Sequence, residues 1–227
     1  MAGTLIVCEG TDGSGKSTQF SLLCRRLEAE NAAFRRLVFP QYSEPSSALI
    51  RMYLGGEFGS HPADVNAYAA SAFYAVDRYA SWKKVWGDDY TNGGLILSDR
   101  YTSSNAVHQA CKLPEDQWED FFRWLDDFEH GKLGLPRPQL VLYLDMPTEL
   151  AVSLLRSREA QSHTKGDIHE VDTEYLALCH RTARKAASCL GWTTISCVDD
   201  SGALRAPQDI HQEIWETVQP YISPAKG

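Results

Sequence analysis

No apolar run in this 227-residue chain approaches the length of about 18 residues that a membrane span requires. The opening MAGTLIVCEG has too short an apolar stretch and no basic leader, so no secretion signal is expected. Cationic excess is missing too: 22 Lys and Arg stand against 30 Asp and Glu, for a net charge of −8. That weighs against nucleic acid or a membrane surface as partner, because such binding rests on surplus Lys and Arg. A local cluster of cations can still oppose the global sign, so an anionic small molecule stays open. The six cysteines form no CxxC pair and no Cys/His block at metal-ligand spacing. They read as reduced, mostly buried thiols of a cytoplasmic protein. Repeats, low-complexity tracts and linkers are also absent. The length then predicts a single domain over 1–227, large enough to fold without a disulfide or a metal.

What is present alternates. Short apolar runs at 4–9, 36–39, 95–98, 140–144 and 193–198 read as five strands, the first closed by glycine and the second stopped by Pro40. Helical spacing fills the gaps, most clearly at 16–30, 149–158 and 209–218. Strands alternating with helices predict an α/β fold: a five-stranded parallel sheet with helices on both faces. Residues 159–170 are polar and bounded by charges, which suits a mobile surface loop, a lid over about 156–170.

Between the first strand and the first helix runs Gly10-Thr11-Asp12-Gly13-Ser14-Gly15-Lys16-Ser17, which fits G-x-x-x-x-G-K-[ST] at every fixed position, with Thr18 next. Glycines let consecutive backbone N–H groups curl around a phosphate, and the helix N-terminus adds partial positive charge. Lys16 is expected on the β- and γ-phosphates of ATP and Ser17 on Mg²⁺, with Asp99 at the end of the third strand holding the metal's water shell. The nucleotide alone does not fix the job. A GTPase would need a guanine-reading NKxD, which is absent, and the DxxG at 199–202 falls after the last strand, where it reads as a turn. A small P-loop chain with a charged loop points to a nucleotide or nucleoside kinase.

In its motifs and their order the sequence resembles the thymidylate kinases over nearly the whole chain, residues 5 to about 222. The carriers are EGTDGSGKST, then Val38-Phe39-Pro40, then Tyr74-Ala-Val-Asp77-Arg78, then Asp99-Arg100-Tyr101 with Ser104-Asn105-Ala106. The resemblance implies a P-loop NTPase fold, a homodimer and the reaction ATP + dTMP → ADP + dTDP. It also implies that Asp12 meets the deoxyribose 3′-hydroxyl and that Tyr74 stacks on thymine. Phe39, Pro40, Arg78, Arg100, Ser104, Asn105, His108 and Gln109 are the remaining acceptor-site candidates. On the residues alone, Tyr74 and Arg78 share a helical face, so a platform and a cation can serve one ligand. The same residues also allow Tyr74 in the core and Arg78 paired with Asp77 or Glu57 on the surface. For homodimer formation they offer only an aromatic-rich helix at 68–86.

Two departures from the family pattern concern the acceptor. Gln41 and Tyr42 stand after Phe39-Pro40 where several members carry a phosphate-gripping arginine, leaving Arg51, Arg78 or Arg100 to compensate. His108 stands where related enzymes often have an aromatic against the sugar 2′ position. A third concerns the donor: Gly13 replaces the arginine that some members carry directly after the acidic P-loop residue. A second branch supplies that cation from the flexible loop, so Arg158 and Lys165 are the expected catalytic cations, with Arg156 on the adenine side. The nearest alternative is a deoxynucleoside kinase with Glu44 as base; a silent nucleotide-binding module is the third reading.

Overall fold

The computed structural model describes residues 2–162 and 173–222. β1 (Thr4–Gly10) sends Ile6 and Cys8 into one apolar cluster and Leu5 and Val7 into another, all four fully buried. A strand covered on both faces needs no polar alternation, which is why it reads as an unbroken apolar run. On the Ile6 side, α1 (Lys16–Ala29) packs Phe20, Leu23 and Leu27, and α9 (Pro207–Val218) adds Ile210, Ile214 and Trp215. Apolar positions three and four residues apart make one helical stripe, and each stripe faces the sheet.

Beside β1 lie β3 (Leu95–Asp99) and β4 (Leu140–Asp145), with β2 (Phe34–Val38) and β5 (Thr193–Ser196) at the edges. The order is β2-β3-β1-β4-β5 and every pairing is parallel. The second face is covered by α5 (Ser103–His108) and α8 (Thr173–Leu190), where Val107, Cys179 and Ala183 meet Tyr143 of β4. Trp86 and Tyr90 cover Leu5, Val7 and Ile96 farther along that face. Successive strands depart to opposite sides of β1, so a crevice opens at the carboxyl ends of β1 and β3, where ligands of open α/β sheets bind. Cys8 is in register with Asp99, which puts Glu9 and Gly10 beside Arg100 there.

Some boundaries differ from the sequence reading. The second strand runs 34–38, not 36–39, because Phe34 to Val38 pair in register with Leu95 to Asp99, while Phe39 donates one last N–H to the Asp99 carbonyl. Phe39-Pro40 is cis. The fifth strand stops at Ser196, and Val198 turns into an antiparallel bridge with Leu204. The DxxG at 199–202 is a turn capped by the Asp199 carboxylate, which accepts from Ser201 and Ala203. α7 (Thr148–Ser162) extends four residues past the expected end of its helix into the interval read as a loop. The rest of that interval to 170, Lys165 included, and the Arg158 side chain lie outside the described residues. Three further helices bear on the site: α2 (Ala48–Leu54), α3 (Ala67–Ser81) and α6 (Trp118–Asp126). A π-helical turn, Asp127–Lys132, continues α6. All six cysteines are free thiols, five of them buried.

Candidate active site

The glycine-rich turn wraps a cavity of about 270 Å³ lined by Thr11 through Thr18, Arg100, Leu154 and Leu155. Gly15 sits at φ +79° just before α1, and the space where its side chain would stand is open, so nothing blocks an anion from the helix N-terminus. Gly13 is also left-handed, and a Cβ there would lie 2.4 Å from the Ala151 carbonyl of α7. This position cannot take a longer residue without moving α7, which accounts physically for the missing P-loop arginine. Lys16 Nζ donates to Asp99 Oδ1 at 2.6 Å, with both side chains about nine-tenths buried. The two residues expected on the phosphates and the metal thus hold each other. Ser17 and Thr18 are exposed to the cavity, and Arg156 is exposed on α7.

A second cavity, about 190 Å³, opens on the other side of Asp12 and Arg100. Its walls bring together Asp12, Phe39, Pro40, Tyr74, Arg78, Arg100, Ser104, Asn105, His108 and Gln109, every acceptor-site residue expected from the sequence. Tyr42, Leu54 and Tyr101 complete it. Tyr74 is half-buried and faces this cavity, so it is not a core tyrosine. Gln109 Oε1 is buried with no hydrogen-bond partner among the described residues, leaving an acceptor for a ligand N–H.

Asp12 and Arg100 line both cavities and form the partition between them. Arg100 Nη2 donates to Asp12 Oδ1 at 2.5 Å, while Nη1 approaches His108 Nε2 at 2.9 Å and Glu9 Oε1 and Ser104 Oγ at 3.4 Å. Arg100 adopts φ +65°, a conformation that costs a non-glycine residue roughly 1–3 kcal/mol and concentrates at functional sites. Desolvation would lower its pKa, but the charges of Asp12, Glu9 and Asp99 outweigh that and raise it, so it remains a cation. Glu9, fully buried, accepts from Ser103 and Ser104 Oγ at 2.7 Å and from the Gly10 N–H at 2.9 Å.

Arg78 is paired neither with Asp77 nor with Glu57. Its guanidinium is 2% exposed and forks onto fully buried Glu129 of the π-helical turn, Nε and Nη2 each at 2.6 Å, while Nη1 donates to the Tyr101 carbonyl at 3.2 Å. Asn105 Nδ2 also donates to Glu129 at 3.0 Å. Surface pairing is ruled out because Arg78 faces inward, and Asp77 instead accepts from the Gln41 N–H and Ser46 Oγ. Of the three arginines considered for the acceptor, Arg51 lies outside the cavity walls; its Nη1 donates to the Tyr42 and Glu44 carbonyls and Ser47 Oγ. Glu44, too, is outside, near Lys84. Sequence reasoning missed Glu9 and Glu129. Glu9 carried a signal, a carboxylate ending an apolar strand, because a buried acid requires partners.

Comparison with known proteins places this geometry. The family model described as thymidylate kinase matches residues 8–193. A thymidylate kinase of Mycobacterium tuberculosis is 32% identical over 218 residues, covering 91% of this chain and 99% of the relative. One from a Synechococcus strain is 28% identical over 219 residues, with 96% of each chain covered. Among solved structures, a thymidylate kinase from Candida albicans superposes with TM-score 0.69 at 22% identity, over 96% of this chain and 92% of that one, which shows the fold.

Proposed function

The chain belongs to the thymidylate kinase family, transferring the ATP γ-phosphoryl group to dTMP, and we propose that its two cavities divide that reaction between donor and acceptor. The observation that carries the reading is the shared Asp12–Arg100 partition: a phosphate cradle on one side, an aromatic-lined cavity on the other. ATP phosphates lie against the glycine turn and Lys16. The dTMP base lies against Tyr74, Arg78, Asn105 and Gln109, its sugar near Asp12 and His108, and its phosphate at Arg100. A phosphate monoester is mostly a dianion at pH 7, so it attacks without a general base. Asp12, the one carboxylate among the described residues of the acceptor walls, is already tied to Arg100. The enzyme's work is to align and neutralise two polyanions.

Mg²⁺ belongs to the same reading. Ser17 and Asp99 offer hard oxygen donors, and among the described residues no cluster of three His, Cys, Asp or Glu stands ready to hold a metal unaided. Those two residues would hold the ion together with nucleotide phosphates and water, its usual mode, and it would spread the developing charge. The transition-state cation is assigned to Arg158 or Lys165, with Arg156 toward the adenine: alanine at either of the first two lowers kcat by orders of magnitude while both nucleotides still bind. Intact kcat in all three alanine variants would remove this assignment.

The reading extends to a cytoplasmic, single-domain homodimer. Exposed Val76 and Tyr79 on α3, and Val85 just beyond it, support the dimer; light scattering at the mass of one 25.4 kDa chain would refute it. Among the described residues no helix is long and apolar enough to cross a membrane. The deciding experiment for the reaction is ADP release with dTMP and with thymidine under identical conditions. Turnover of thymidine but not dTMP would make the chain a nucleoside kinase instead.

A further inference from the structure

The acceptor cavity is backed by a group of thiols that the reaction does not use. His108, the last residue of α5, is 6% exposed, and its Nε2 lies 2.9 Å from Arg100 Nη1. A guanidinium can only donate, so Nε2 must hold a lone pair. The imidazole is then neutral, with its proton on Nδ1. That nitrogen lies 3.6 Å from Sγ of Cys179 on α8, itself fully buried. In water the neutral imidazole prefers its proton on Nε2, so the Nδ1–H form needs support in the fold, from the Arg100 donor at Nε2 and from an acceptor at Nδ1.

We propose that Cys179 is a positioning residue for phosphoryl transfer: its sulfur accepts the Nδ1–H of His108, fixing the tautomer that lets Nε2 accept from Arg100. The inference rests on reading that cavity as the acceptor site. The neighbouring thiols continue the chain of hydrogen bonds. Cys179 Sγ is 3.6 Å from Cys111 Sγ, and Cys111 Sγ is 3.3 Å from the His108 carbonyl. His108 Nδ1–H therefore points to Cys179, Cys179 S–H to Cys111, and Cys111 S–H back to the carbonyl of His108. Tyr175, one turn before Cys179 on α8, donates its hydroxyl to that same carbonyl at 2.9 Å and also makes a hydrogen bond with the Cys179 sulfur. Burial raises the Cys179 pKa well above its ordinary value, with the Cys111 thiol adding to the rise, so the sulfur stays a neutral thiol with both a proton and a lone pair to use. A proton on Nε2 instead would aim an N–H at the Arg100 cation and push the guanidinium out of its contact with Asp12.

The test is nitrogen-15 NMR of the histidine rings in the full unliganded chain at neutral pH, with His108 assigned by the His108→Gln spectrum. The Nδ1–H tautomer is expected in the native protein and in Cys179→Ser, whose hydroxyl is also an acceptor; Cys179→Ala should shift His108 toward Nε2–H. In kinetics, Cys179→Ala should raise the dTMP KM about 2- to 10-fold, the worth of one neutral hydrogen bond, with the ATP KM unchanged and Cys179→Ser near native. A native His108 carrying its proton on Nε2, or charged, overturns the proposal even if every variant is unstable. So does a folded Cys179→Ala protein with native tautomer and native dTMP KM. The ring spectrum needs no turnover, so failure of the dTMP assignment and failure of this inference are told apart.

Discussion

Removing the charge of Glu129 should unfold the acceptor site before it touches the phosphate cradle. Arg78 and Glu129 are 2% and 0% exposed and share a two-pronged hydrogen bond, with Asn105 as a third member. In Glu129→Gln the guanidinium keeps its charge and loses its counter-charge where both side chains are almost wholly buried. Breaking a buried pair from one side costs about 3–5 kcal/mol. For a chain of this size each kcal/mol moves Tm by about 2–4 °C, so a fall of roughly 6–20 °C is expected. Thermal and urea unfolding followed by tryptophan fluorescence would measure it. The double variant Arg78→Leu/Glu129→Leu removes both charges and should regain most of the stability, since apolar replacement of a buried pair is often neutral. It should not regain dTMP binding, because Arg78 walls the cavity. A Glu129→Gln protein within about 1 kcal/mol of native stability would refute the reasoning, as would a double variant no more stable than the single.

Tyr74→Ala should raise the dTMP KM about 5- to 150-fold, the range that stacking worth roughly 1–3 kcal/mol implies, with the ATP KM unchanged; native dTMP kinetics would remove Tyr74 from the base site. Lys16→Met should lower kcat about 10²- to 10³-fold with dTMP affinity retained, and a drop of less than about tenfold would mean that the lysine does not reach the transferring group. Above neutral pH, burial raises the pKa of Tyr101, Tyr143 and Tyr175, and likewise of Cys8 and of Cys197, which is pushed up to about 12. The unfolded chain ionises first, near 9.0 for thiols and 10.0 for phenols, so stability is full below those values and falls as pH rises past them. Phenolate absorbance should show these three tyrosines silent until unfolding; ten tyrosines titrating together with stability unchanged would contradict their burial.

Spacing along the chain made the phosphate cradle legible, because a glycine turn, a lysine and a hydroxyl within eight residues can serve few other purposes. That Phe39, Tyr74 and Arg100 line one cavity was legible only through the order of several weak motifs, since they meet through the sheet and not along the sequence. Illegible were the counter-charges. Glu129 lies 51 residues from Arg78, in a π-helical turn that helical spacing does not announce. The alternative that paired Arg78 with Asp77 or Glu57 on the surface failed for that reason: its partner is supplied by the tertiary fold. Cys179 stands 71 residues from His108 in a helix whose pattern says only that it is amphipathic. The second strand was placed two residues late, leaving out Phe34 and Arg35, because an exposed arginine looks like a loop residue, yet an edge strand tolerates exposed charges.

An acidic protein that binds two polyanions must keep its cations both available and affordable, and the carboxylates here divide into two kinds. Glu9 and Glu129 are fully buried and held by several donors, so they stay with Arg100 and Arg78 whatever occupies the cavities. The side chains of Asp12 and Asp99 are 21% and 10% exposed; Asp12 lines both cavities, and Asp99 holds Lys16 of the glycine-turn cavity. There a phosphate or a solvated metal can take over the cation while the carboxylate turns to a hydroxyl or to water. On the proposed reading, Lys16 would leave Asp99 for a phosphate, freeing that carboxylate as a metal-shell donor, and Arg100 would turn from Asp12 to the acceptor phosphate, freeing Asp12 for the sugar. Each exchange keeps local charge nearly constant, so the site strengthens its hold on the reacting groups without ever exposing an unpaired buried ion. The permanent pairs fix where the guanidinium planes lie, and the exchangeable pairs decide what they hold.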